Sequence, residues 1–204
     1  MASLDIREIF GNPDIDPQPL GTRVGNLIHA NRITGMDLTT GKLADGIDSQ
    51  MAQAFDNLRH VVEQAGATLE QVAQVSIFVA QREFMPAINK AWEPIFNNAD
   101  DRPTYKFMTC DLPAGNLVQL EAWAVAGERR QVLHIPGVFH TNPIPMGVRM
   151  GNYVFSSRVL PFDPATNAAP ESFDEQVGFV FNNLRNFLAA AGAKPSDLAQ
   201  VRVF

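Results

Sequence analysis

The chain has 204 residues, 46% of them apolar and 19% charged, enough for a sizeable core in one or two domains. Its net charge of -6 and the lack of a lysine or arginine run argue against nucleic-acid binding, because an acidic chain gains nothing from counterion release at phosphates. No apolar run approaches the roughly 20 residues of a membrane span, the first residues lack an apolar signal core, and the single cysteine, Cys110, excludes an intrachain disulfide. A cytoplasmic protein without a membrane or nucleic-acid partner is expected.

In chain order, residues 25–33 (GNLIHANRI) read as a strand and residues 36–46 as turn-rich. Asp48 is the expected N-cap of a helix running to Gln64. Met51, Ala54, Phe55, Leu58, Val61, Val62 and Ala65 form one apolar stripe on it, and Gly66 supplies the C′ glycine. Val72, Val75, Ile77 and Val79 mark a strand, and Phe84, Ile88, Ala91, Ile95 and Phe96 a second helix whose last turn Pro94 weakens. Strands follow at residues 105–110 and 117–126, joined by the turn Leu112-Pro113-Ala114-Gly115. This order predicts an α+β layer with helices on one face of a sheet.

The pattern then recurs. A constant offset of 126 residues sets Gly21, Arg23, Gly25 and Asn26 against Gly147, Arg149, Gly151 and Asn152. It sets Phe55, Asn57, Leu58 and Arg59 against Phe181, Asn183, Leu184 and Arg185, and Phe78 against Phe204. A tandem duplication follows, with a complete domain over residues 1–130 and a second copy over residues 131–204 that stops inside its next strand. The boundary is expected in the link at residues 127–141, and the second copy's helix at residues 173–190.

Residues two apart in a strand share a face. Gln119, Glu121 and Trp123 therefore point away from the helices, while Val118, Leu120, Ala122 and Ala124 point under them. Arg102, Thr104 and Lys106 share a face if their segment is extended throughout. One pocket would then hold a carboxylate, an amide and one or two cations, suited to a small anionic substrate; a cross-strand salt bridge is the plainer alternative. Arg32 and Arg158 are equivalent strand positions, either anion contacts or arginines at a domain or subunit contact. Asn89 sits among apolar helix neighbours and calls for a specific hydrogen bond, to substrate or to backbone. His29, His60, His134 and His140 show no metal-ligand spacing, and no phosphate loop or nucleophile elbow occurs.

GNLIHANRI, Thr39-Thr40-Gly41, Gln50-Met51, Ala54, Asn57, residues 62–66, Phe84, Asn89, Phe96, Arg102-Pro103, Leu112-Pro113 and VQLEA at residues 118–122 together resemble the RidA/YjgF family of imine and enamine deaminases. The resemblance covers nearly all of residues 17–126. It implies a chorismate-mutase-like fold and trimers whose sheets face inward, with ligand sites at the interfaces. It also implies hydrolysis of reactive enamines and imines, such as 2-aminoacrylate or aminomuconates, to keto acids and ammonia without a cofactor. Glu121 matches the glutamate that places water. The family's carboxylate-holding arginine falls at Thr104, its nearby cysteine at Lys106, its early tyrosine at Gln18 and its strand serine at Ala30, with Ser156 in the second copy. Arg102 or Lys106 would replace the arginine, and Gln119 and Asn89 would bond substrate or water. A non-catalytic ligand-binding or assembly module of the same fold is the alternative.

Overall fold

The computed structural model describes residues 5–139 and 142–203. The N-terminal unit is a six-stranded sheet made of β1 (Ile6–Ile9), β2 (Gly21–Val24), β3 (Leu27–Thr34), β4 (Val72–Val79), β5 (Thr104–Thr109) and β6 (Val118–Val125). The spatial order is β1-β2-β3-β6-β4-β5. All neighbours are antiparallel except β4 and β5, which run parallel because a helix joins them.

Helices α1 (Gly46–Gln64) and α2 (Met85–Ile95) lie on one face of this sheet. The α1 stripe of Met51, Ala54, Phe55, Leu58, Val61 and Val62 is fully buried against Ile28, Ala30, Val75, Ile77, Leu120 and Ala122. Trp92 of α2 packs edge-on to Tyr105 and beside Phe96. The layer order and the inward set of β6 agree with expectation.

Several boundaries differ. The strand expected at residues 25–33 is β3, which begins two residues later; Gly25 (φ 60°) lies in the tight turn that joins it to β2. Helix α1 starts two residues before Asp48; Asp45 is its N-cap, and Asp48 lies in the first turn, where a carboxylate favours the exposed N–H groups. Strand β1 lies in the polar N-terminal segment, whose burial pattern is too exposed to announce a strand.

A second unit follows the link. Strands β7 (Gln131–Leu133), β8 (Gly147–Met150) and β9 (Tyr153–Ser156) form an antiparallel sheet, with α3 (Phe173–Ala190) packed on it through Phe187 and Ala191. The link is not all loop, since β7 pairs with β8 within it; its residues 140 and 141 lie outside the described set. Arg130, almost wholly buried, fastens the link to the first unit by donating to Asp101 Oδ1 at 2.9 Å and to the carbonyls of Asp101, Leu69 and Val72.

Local bonds recur at the offset of 126. Asn57 Nδ2 donates to the Thr34 and Met36 carbonyls, and Asn183 Nδ2 to those of Leu160 and Phe162. Arg23 donates to the carbonyls of Gly25 and Ala65, and Arg149 to those of Gly151 and Ala191. Residues 199–203, expected to begin a strand, form none; β4 is held between β5 and β6, and this segment has no such neighbours. For the same reason Phe173, Val177 and Phe181 remain exposed at 76%, 38% and 55%, whereas Met51 and Phe55, the counterparts of Val177 and Phe181, are 0% exposed.

The first sheet's other face meets the second unit. Val148 and Met150 of β8 are buried with Ala73 and Val125, beside Leu27, Tyr153 and Phe155. Gln74 Nε2 crosses between the units to the Ser156 carbonyl at 2.6 Å. The layers therefore run helices, sheet, sheet, helix.

Replacing Asn57 by alanine leaves two carbonyls without their donor, and a loss of about 2 kcal/mol is expected. A fall in urea midpoint at unchanged slope would register it.

Candidate active site

The open face of the first sheet is laid out by register. Glu121 pairs with Ser76, and Ser76 with Lys106, forming one row across β6, β4 and β5. The next row is His29, Trp123, Gln74 and Thr104, and the row on the other side is Gln119, Phe78 and Met108. Glu121, Gln119, Thr104 and Lys106 thus share the face away from the helices.

The second unit brings two arginines to this face. Arg202 Nη1 lies 3.3 Å from Glu121 Oε2, with the glutamate side chain 23% exposed. Arg158 Nη2 donates to the Phe107 carbonyl at 2.7 Å. Burial, then the positive charges of Arg202 and Arg158, push the Lys106 ammonium below its ordinary value. Three cations therefore share this face with one carboxylate, and Arg202 is the one in contact with it. Arg202 was not among the residues singled out from sequence. It is Ser76 shifted by the offset of 126, in a segment that pairs with no strand, so periodicity gave no sign of it.

His29 stacks on Trp123 with ring centroids 4.2 Å apart, and Trp123 in turn lies 6.4 Å from Phe155 of β9. The buried His29 Nε2 has no hydrogen-bond partner among the described residues. Burial lowers the His29 pKa from 6.5; Glu121 opposes this and Arg202 adds to it. The imidazole is therefore neutral near pH 7. Thr104 is fully buried, and its Oγ1 is likewise unpaired.

Other expected site residues lie elsewhere. Arg102 precedes β5, and its guanidinium donates to the carbonyls of Phe96 at 2.7 Å and Pro143 at 3.5 Å, so the shared face with Lys106 does not extend to it. Asn89 is in the helical layer and accepts from the Tyr105 hydroxyl at 2.8 Å, across the sheet from Glu121; its partner is neither substrate nor backbone. Arg32, in a bulge with φ 54°, is ion-paired to Asp16 at 2.8 Å. Arg158 falls beyond the end of β9 rather than within a strand, and its bond to Phe107 makes it an arginine at the contact between units.

Among known proteins, the family model described as Endoribonuclease L-PSP matches residues 19–126, just over half of the chain. The chain belongs to the RidA/YjgF family. A 2-iminobutanoate/2-iminopropanoate deaminase of Dermatophagoides farinae is 33% identical over 98 residues, 45% of this chain and 76% of that one. The YjgF gene product of E. coli superposes with a TM-score of 0.51 at 24% identity, over 56% of this chain and 91% of its own. The Rid-family protein YyfA of Yersinia pestis gives 0.54 at 23% identity, over 61% and 100%. These RidA-like structures share the α+β fold of the first unit. Among the described residues no group of three or more His, Cys, Asp or Glu side chains could hold a metal, and no helix is long and apolar enough to cross a membrane.

Because the folded state favours neutral His29, the unfolded chain binds the extra proton as pH falls through 6.5. Stability should therefore decline from pH 6.5 down to the lower folded-state pKa and then level off. A His29→Gln variant should lose less of its melting temperature over the same interval.

Proposed function

We propose that the chain hydrolyses a small 2-imino or 2-enamino acid, of the 2-aminoacrylate or 2-aminomuconate type, to a keto acid and ammonia. The observation that carries this is Glu121, a carboxylate on a sheet face free of helices, paired with Arg202 and in one register row with Lys106. The deaminase name of the Dermatophagoides relative supports the same chemistry.

In this reading the substrate carboxylate meets the cationic cluster, with Lys106 the cation supplied by the first sheet. Glu121 orients water and accepts its proton as the oxygen bonds to the imine carbon. The nitrogen is protonated, the resulting carbinolamine collapses to the carbonyl, and the C–N bond breaks to release ammonia. Gln119, one row from Glu121 on the same face, is placed to hydrogen-bond substrate or water. Hydrolysis of this kind needs only water and proton transfer.

The reading extends to the architecture. Residues 131–204 are a second, incomplete copy of the domain formed by residues 1–130, as the recurring bonds of Asn57 and Asn183 and of Arg23 and Arg149 support. A homo-oligomeric, trimer-like ring in the cytoplasm is the assembly and setting that accompany this reading. Thr104, at the family's arginine position, motivates a second reading, in which the face binds keto acids without turning over imines.

Ammonia release from 2-iminopropanoate or 2-aminomuconate should fall by about a hundredfold or more in Glu121→Gln, the range for loss of a general base. Turnover that survives this change, or keto-acid binding without any turnover by the intact protein, would contradict the deaminase reading.

A further inference from the structure

We infer that Arg202 is the substrate-carboxylate ligand of this site, held at rest by Glu121 and transferred to the substrate on binding; the inference rests on the deaminase reading for the substrate's identity. The first argument is charge. Lys106, Arg158 and Arg202 against Glu121 leave a net +2 on a partly enclosed face, where burial first and the two guanidinium charges second lower the Lys106 pKa. An incoming carboxylate offsets charge that Glu121 leaves uncompensated.

The second argument is geometry. Arg202 meets Glu121 through a single contact, Nη1 to Oε2 at 3.3 Å. The rest of its guanidinium fork has no protein partner among the described residues, and a bidentate carboxylate matches that fork better. Arg158 is less free, because its Nη2 is spent on the Phe107 carbonyl. Lys106 is a point charge without a fork.

The third argument is what the exchange does. The exchange gives Glu121 a use for its resting partner. While Arg202 holds it, Glu121 is not free to orient water; when the substrate takes Arg202, Glu121 is released beside the imine carbon. Two conditions for hydrolysis, a bound carboxylate and a free base, are then met together.

The test uses the intact chain, with Arg59→Gln as a control, since Arg59 pairs with Asp56 on the exposed side of α1. Calorimetry compares pyruvate with its uncharged amide, and turnover is followed on 2-iminopropanoate generated in place. The wild type and Arg59→Gln should prefer pyruvate by about tenfold or more, as one charge-assisted pair implies. Arg202→Gln should abolish that preference and raise KM by about tenfold while kcat is largely kept, and Arg202→Lys should restore part of it. An unchanged preference and KM in Arg202→Gln, with wild-type turnover intact, would overturn the inference and leave the deaminase reading standing. A wild type without turnover whose carboxylate preference still depends on Arg202 would sink the deaminase reading and keep the ligand assignment.

Discussion

A sheet with helices on one side only has a second face to cover, and that requirement organises this molecule. The face carries Trp123, Phe78 and Met108 beside Glu121, Gln74 and Lys106, a mixture too apolar to leave wet and too polar to bury unpaired. Part of it is closed by β8 and β9, which place Val148, Met150 and Phe155 over the apolar portion and offer the Ser156 carbonyl to Gln74. Strand β4 is consequently buried along nearly its whole length, with Val75, Ile77 and Val79 under the helices and Gln74 and Ser76 toward the second unit. What this cover leaves polar is the charged cluster at Glu121.

The cluster follows from where the covering unit happens to be charged. Neither Arg158 nor Arg202 belongs to the sheet that carries Glu121, and neither would matter if the second unit stood apart. In the first unit the position equivalent to Arg202 is Ser76, directly beside Glu121 in the register. The two units therefore contribute different chemistry from matching positions, serine in the sheet and arginine above it.

Much of the first unit was legible because its signals are local and periodic. The α1 stripe, the alternation of β6 and the C′ glycine at Gly66 each follow from a few neighbouring residues, and the outward placement of Glu121 came from the same alternation. Arg102, Asn89 and Arg202 were misread or missed because their partners lie outside their own elements. Arg102 stops short of β5 and answers to Phe96 and Pro143, Asn89 answers to Tyr105 through the helical layer, and Arg202 meets Glu121 across 81 residues. Strands β1 and β7 were missed because short, exposed edge strands carry little apolar alternation.

The central claim is that the second unit rests on the open face of the first, and a double-mutant cycle between Trp123 and Phe155 tests it most directly. The two rings are 6.4 Å apart and belong to different units. Urea unfolding of Trp123→Ala, Phe155→Ala and the double variant should give a coupling energy of about 0.5–1.5 kcal/mol, as for packed aromatic pairs. Losses that add with no coupling would mean that the units do not pack this way and that Arg202 does not belong to the site of Glu121.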